Sequence, residues 1–398
     1  MNIGASVIRV YNVQMAELIS RRKLGIAAIA SAALAQTGSA ATTYGGALDG
    51  VENKINLSEF DPVAWTMERY KSAPLRLTFR ASTASETEDW QHQLRTKLTE
   101  LVGGFPDERS PLMARTLEVR EYPVYRREKL VFESRPGVGV LAYLLTPKAK
   151  PTPYATVVCV PGHGRGADDI VGIDEHGNDR TDKSGYQHDF AIQAVEHGFA
   201  ALAIEPMAFG CRRDARTSQH GLSATACQPT AGSALQFGET MIGWRVWDTM
   251  RAIDYIETRP NLDAKRVGVM GISGGGTCTL FSAALDQRVQ FAYVSGYLNT
   301  FRDSIMSLSH CMDNYIPGIL NWAEQYDVAG LIAPRYLFSE AGDRDPIFPV
   351  HASRESFARV KKVYDVLDAS DHCAQEVFSG VHEFHGAQGF PFMVRALA

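Results

Sequence analysis

Arg266 to Leu280 reads RVGVMGISGGGTCTL, and the rest of the chain is organised around it. Val267, Val269 and Met270 make a short apolar run with β character. Gly271-Ile272-Ser273-Gly274-Gly275 follows without a break, and Thr277 to Leu285 is compatible with a helix. A G-x-S-x-G pentapeptide between a strand and a helix lifts its serine onto a tight, strained turn with the hydroxyl exposed. Small residues two before and two after the serine let strand and helix pass without collision. The helix start then aims N–H groups and a positive dipole end at negative charge forming beside the serine. The same letters also fit a glycine-rich turn with a satisfied serine, so the decision falls to what the rest of the chain supplies.

On either side of this stretch, strands alternate with helices. Lys129 to Ser134 and Val138 to Thr146 read as a hairpin joined around Pro136-Gly137. Ala155 to Val160 (ATVVCV) is continuously apolar, the pattern of a strand buried on both faces of a parallel sheet. A helix is expected over Gln187 to His197, a strand over Phe199 to Ile204, and a long polar loop over 206–238. Ile242, Val246, Met250 and Ile253 mark an amphipathic helix that stops before Arg259-Pro260. Further strands are expected at Phe291 to Val294, Tyr336 to Ser339 and Gln375 to Phe378, with a helix near Ser353 to Tyr364. Upstream, Ser85-Glu86-Thr87-Glu88 has the form of a capping box, followed by Trp90, Leu94, Leu98 and Leu101 at helical spacing and a Gly103-Gly104 stop. The alternation predicts a mostly parallel sheet with helices on both faces.

A serine nucleophile on this plan needs an acid, a histidine and an oxyanion loop, each following a strand. Gly342-Asp343-Arg344-Asp345-Pro346 follows one expected strand, and Gly380-Val381-His382-Glu383-Phe384-His385 follows the last. Asp343 and Asp345 are both candidates for the acid, and His382 and His385 for the base. Pro161-Gly162-His163-Gly164-Arg165-Gly166 ends the first buried strand and can offer an oxyanion N–H beside that of Gly274.

With these motifs the chain resembles the α/β-hydrolase fold, and more narrowly the dienelactone-hydrolase-like and acetyl-xylan-esterase-like bacterial esterases, over about Tyr122 to Gln388. The resemblance implies Ser273 as nucleophile, Asp345 as acid because a proline follows at Pro349, His382 as base, and the N–H groups of Gly274 and His163 as the oxyanion hole. Dienelactone hydrolases carry a cysteine nucleophile, so Ser273 implies an esterase rather than a lactonase. The expected activity is carboxylic-ester hydrolysis of small acyl, acetyl-type esters without a cofactor. Acetylated carbohydrate substrates are implied by the likeness alone. A serine exopeptidase with the same triad is the alternative, and a non-catalytic binding protein a weaker one. Dehalogenase chemistry would need a carboxylate where Ser273 stands. Leu308 to Ile319 (LSHCMDNYIPGI) resembles the active-site insertion of these esterases and is expected to form a wall or lid.

The ends and the composition set the context. A net charge of -5 gives no reason to expect nucleic acid or an anionic membrane as partner. Residues 1–41 read as an export signal: Arg21-Arg22 precede an apolar run from Leu24 to Ala35, and small residues follow. They resemble a twin-arginine signal, although Gly25 stands where that pattern prefers a large apolar residue. Domains are therefore expected as an export signal over 1–41, a helical extension over 42–115 and a catalytic domain over 116–398. In an exported protein, Cys211 and Cys227, which flank a polar loop, are candidates for a disulfide. Asp168, Asp169, Asp174, Glu175, His176 and Asp179 crowd one loop but lack the spacing of a known cation loop, so no metal is expected there. Arg212-Arg213 reads as an exposed basic pair.

Overall fold

The structure, a computed structural model, describes residues 46–397; the expected export signal over 1–41 lies outside them. The described chain divides after Leu57 into a short N-terminal stretch and one compact unit. In chain order the unit carries α1 (Pro62–Lys71), α2 (Ala84–Leu101), β1 (Arg115–Glu121), β2 (Tyr125–Arg135), β3 (Val138–Pro147), β4 (Tyr154–Val160), α3 (Phe190–Glu196), β5 (Ala200–Ile204), α4 (Cys227–Gln236), α5 (Met241–Glu257), β6 (Leu262–Ile272), α6 (Gly274–Leu285), β7 (Val289–Ser295), α7 (Gln325–Gly330), β8 (Tyr336–Gly342), α8 (Val350–Val366), β9 (Cys373–Phe378) and α9 (Gly389–Ala396).

The nine strands form one sheet in the order β1-β2-β3-β5-β4-β6-β7-β8-β9. The first three and the β3–β5 pair are antiparallel, and every pairing from β5 to β9 is parallel. Parallel strands end on one edge. The loops after β4, β6, β8 and β9, which carry the four candidate motifs, therefore gather along that edge.

Burial follows the apolar runs. Along β4, Val158 and Val160 pack into one core while Val157 and Cys159 pack into the other, and β6 divides in the same way between Val267 and Val269 on one face and Met270 and Ile272 on the other. A strand so enclosed has no polar face to display, which is why its sequence shows no alternation. Ile242, Val246 and Ile253 of α5, Leu280 and Phe281 of α6, and Val360 and Val363 of α8 cover the first face. Phe190, Ala194 and Val195 of α3 and Phe390 and Met393 of α9 cover the second. Trp90, Leu94 and Leu98 of α2 are buried in the first core.

Several expectations are corrected. The capping box of α2 is Thr83 with Glu86, two residues upstream of the expected one: Thr83 Oγ1 accepts the Glu86 N–H at 3.2 Å, and Glu86 accepts the Thr83 N–H at 3.2 Å. Helix α1 was not anticipated; Asp61 caps it and Pro62 occupies its first turn, a start signal without an apolar stripe behind it. The 206–238 segment is not irregular throughout, because α4 occupies its second half. Strand β1 escaped notice because all but one of its residues are exposed, and an edge strand with that pattern has no core face to read.

Candidate active site

Ser273 joins β6 to α6 at φ 57° and ψ -121°, a backbone conformation that costs of order 1–3 kcal/mol in a non-glycine residue. The surrounding chain holds it there. Its N–H donates to Ser295 O of β7 at 3.1 Å, and its carbonyl accepts the Thr277 N–H at 2.8 Å. A Cβ on Gly275 would collide with the Val160 carbonyl, and one on Gly271 would collide with both Val160 and Gly275. The two flanking glycines of the motif thus let β4, β6 and α6 meet at one point.

Asp345 lies in the loop after β8 and His382 in the loop after β9. His382 Nδ1 stands 2.7 Å from Asp345 Oδ2. The other carboxylate oxygen accepts the N–H groups of Ile347 at 2.8 Å and Phe348 at 3.0 Å, which fixes the carboxylate before it meets the ring. Tyr186 and Phe348 stack near the imidazole, with ring centroids at 5.8 and 5.6 Å. With Nδ1 turned to Asp345, His382 Nε2 is buried and has no hydrogen-bond partner among the described residues. The rival residues are engaged elsewhere. Asp343 is exposed and accepts the Gly380 N–H at 3.1 Å, tying the β8 loop to the β9 loop. His385 pairs with Glu376 at 2.9 Å and stacks on Phe378.

On the other flank, Gly274 is the first residue of α6, so its N–H has no intrahelical acceptor. The loop after β4 is fixed by the Gly162 N–H donating to Gln187 Oε1 and by Tyr186 Oη donating to the His163 carbonyl, both at 2.8 Å. A Cβ on Gly274 would lie 3.1 Å from the His163 ring, so the ring packs against the start of α6. The ring itself turns away to a buried group. Its Nε2 stands 3.6 Å from Asp313 Oδ2 and 3.7 Å from Cys227 Sγ, over Phe209. Arg245 of α5 donates to the same Asp313 oxygen and gives two further N–H groups to the Met207 carbonyl. Burial pushes the His163 imidazole down, but the Asp313 carboxylate outweighs it and holds the ring above its ordinary value. The Cys227 thiol is pulled below its ordinary range, first by the hydrogen bond from Cys311.

Cys211 and Cys227 are therefore not bridged; both are free thiols. Cys227 is the first residue of α4, whose packing turns it inward, whereas Cys211 remains exposed in the preceding turn. The arginines between them are struts rather than an exposed pair. Arg212 meets buried Asp248 at 2.6 Å, and Arg213 donates to the carbonyls of Gly210, Gly221 and Ala224. The crowded acids are likewise spent within the protein: Asp168 accepts from Tyr143, Asp169 pairs with Arg165, Asp174 caps its own turn, and Asp179 pairs with Arg127.

The Leu308–Ile319 segment docks on α6 through Thr277 Oγ1 donating to Asn314 Oδ1 at 2.7 Å. It brings in His310, which was not singled out from the sequence. Its Nδ1 accepts the Cys311 N–H at 3.0 Å, so its own proton sits on Nε2, which is buried and unpartnered among the described residues. Burial pushes its pKa down to about 4, so the ring is neutral. Arg245, Asp313 and Tyr186 were missed as well. The density of polar residues in LSHCMDNYIPGI, between two core strands, was the available signal.

Comparison with known proteins agrees with this architecture. The profile of the abhydrolase family matches residues 63–350. The chain is 25% identical over 302 residues to YtaP of Bacillus subtilis (strain 168), provisionally named a hydrolase, covering 74% of this chain and 94% of that protein. Among solved structures it is similar to a protein of Bacteroides fragilis NCTC 9343 provisionally named an acetyl xylan esterase, with TM-score 0.68, 18% identity, and 82% and 84% of the two chains covered. It is also similar to a glucuronoyl esterase from Solibacter usitatus, with TM-score 0.60, 16% identity, and 80% and 95% covered. The profile spans the helices before the sheet, the Ser273 elbow and the Asp345 loop: this chain belongs to the abhydrolase family and has the α/β-hydrolase fold.

Proposed function

We propose that the protein is a serine esterase that hydrolyses small acyl, acetyl-type esters, with carbohydrate esters as the substrate class, through Ser273, His382 and Asp345. The observation that carries the reading is the His382–Asp345 contact of 2.7 Å on the same sheet edge as a serine held at φ 57°. Asp345 keeps the imidazole proton on Nδ1, so Nε2 offers a lone pair to the serine hydroxyl. Contacts of this kind are often open without substrate and close in the complex. Ser273 Oγ attacks the ester carbonyl as His382 takes its proton. The negative oxygen is held by the N–H groups of Gly274 and His163, each donor contributing about 3 kcal/mol in comparable sites. His382 then gives the proton to the departing alcohol. Water, activated by the same histidine, splits the acyl-enzyme and releases the acid.

The acyl and alcohol preferences draw on the similar structures, one bearing an acetyl xylan esterase name and one a glucuronoyl esterase name. Export is part of the proposal and rests on residues 1–41; no described helix is long and apolar enough to cross a membrane. The test is hydrolysis of p-nitrophenyl esters from acetate to octanoate, beside amino-acid anilides, by wild type and Ser273→Ala. Acetate is expected to be preferred, and the substitution to lower kcat on the order of 10⁶-fold without loss of fold. Full activity in the variant, or turnover of anilides alone, would overturn the esterase reading.

A further inference from the structure

We propose that His163, Cys227, Cys311 and Asp313 form a binding site for one divalent cation of the zinc class, beside the candidate oxyanion loop. The four donor atoms, an imidazole nitrogen, two thiol sulfurs and a carboxylate oxygen, all lie within 4.8 Å of one another. Zinc bonds of about 2.3 Å to sulfur and about 2.0–2.2 Å to nitrogen and oxygen require tetrahedron edges of roughly 3.3–3.8 Å. The three edges that do not involve Cys311 are 3.6 Å from His163 Nε2 to Asp313 Oδ2, 3.7 Å from His163 Nε2 to Cys227 Sγ, and 4.0 Å from Cys227 Sγ to Asp313 Oδ2, and the edges to Cys311 Sγ lie within 4.8 Å. Closing the first three needs movements of a few tenths of an ångström, and those to Cys311 at most about 1 Å. Donor chemistry selects the metal, since two sulfurs and an imidazole suit zinc and are poor ligands for calcium or magnesium.

The surroundings fit a metal as well as the ligands do. Two thiolates and one carboxylate carry three negative charges, and a dication with the buried Arg245 guanidinium carries three positive ones, so the group closes at neutrality. Arg245 Nη2 stands 3.7 Å from Cys227 Sγ while Nη1 holds Asp313, and Asn314 Nδ2 donates to the second Asp313 oxygen at 2.7 Å. These are the outer contacts that orient metal ligands. On binding, each thiol releases its proton to solvent: one Zn²⁺ and two S–H groups give two Zn–S bonds and two protons. The site would clamp three segments that are distant in sequence, the loop after β4, the start of α4 and the turn Met312–Asn314 with Cys311 before it. It departs from the sequence expectation, which weighed only the acidic 168–179 loop. It does not depend on the esterase reading.

The test uses the full chain, purified reduced and without a polyhistidine tag. Elemental analysis is expected to give one zinc per chain. Cobalt(II) added to the metal-stripped wild type is expected to give thiolate-to-cobalt charge transfer and the visible bands of a tetrahedral site. Cys227→Ser and Cys311→Ser are each expected to lower the zinc content at least tenfold; the wild-type cobalt spectrum stands even where a variant does not fold. Absence of both stoichiometric zinc and the cobalt bands in reduced wild type overturns the proposal. So does full zinc content in the two serine variants. A freshly isolated protein about 2 Da lighter, with four titratable thiols in place of the six cysteines of the sequence, would instead assign Cys227 and Cys311 to a disulfide and also overturn it.

Discussion

The two flanks of Ser273 use charge in different ways. The β8–β9 flank sets the His382 imidazole against one oxygen of Asp345, while the other oxygen accepts two backbone N–H groups. The β4 flank buries Arg245 and Asp313 as an ion pair and adds His163, Cys227 and Cys311 around it. The first arrangement fixes a tautomer; the second fixes a loop. A tautomer can be set by one hydrogen bond from a neighbouring loop. The glycine-rich loop after β4 has few side chains of its own, and the His163 ring adds a buried contact to the hydrogen bonds that Gln187 and Tyr186 make with its backbone.

If that division is right, the largest effects on turnover come from the first flank. Asp345→Asn keeps the shape but lets the amide donate to His382, which favours the wrong tautomer. The expected loss in kcat is roughly 10⁴-fold, with melting temperature little changed. Asp343→Asn keeps an oxygen that can accept the Gly380 N–H and gives up only an exposed charge, so it is expected to stay within about threefold of wild type. Steady-state kinetics on p-nitrophenyl acetate checks both, and equal losses in the two variants would erase the distinction between the two aspartates.

The largest effects on stability come from the second flank. Arg245→Met leaves the Asp313 carboxylate buried without its partner, and breaking such a pair costs about 3–5 kcal/mol. Arg344→Ala, on the first flank, removes a 4.0 Å contact with Asp343 between exposed side chains, where less than about 0.5 kcal/mol is expected. Urea denaturation of the two variants measures the contrast. A loss below about 1 kcal/mol in Arg245→Met would mean that the cluster is not held by this pair.

The same division explains what could be read from the chain. Ser273, Asp345 and His382 each follow a glycine just after an apolar run, with a proline added beside Asp345, because a strand end and a tight turn have strong sequence requirements. The parallel strands were legible for a related reason: burial on both faces makes β4 and β6 apolar throughout. The β4 flank has no such local record. Its four donors come from residues 163, 227, 311 and 313, and only the last two are neighbours in sequence. Cys227 was misassigned because 206–238 shows no apolar stripe, although ten residues of it form α4. Once that helix is present, the direction in which Cys227 points is set by tertiary packing, and its pairing with Cys211 is lost.

Glu205 sharpens the comparison with a smaller effect that depends on pH. It ends the β5 run, 2% exposed, with one oxygen accepting the Ala167 N–H at 3.2 Å and the other unpartnered among the described residues. Asp168, Asp169, Arg212, Cys211 and Tyr143 are the titratable or charged groups around it. Burial raises its pKa from 4.5 to about 8, against the pull of the Ala167 N–H and Arg212. The folded protein therefore holds a proton that the unfolded chain has given up between those two values, and stability attributable to this group falls as pH rises from about 4.5 to 8. Below that window it contributes its full share, and above it the loss is complete. Glu205→Gln keeps the shape of the protonated acid and removes the titration. The variant is expected to match wild type near pH 5 and to exceed it by on the order of a few kcal/mol at pH 9, with melting curves at several pH values as the measurement. Parallel curves for the two proteins across that range would show that Glu205 is charged in the fold.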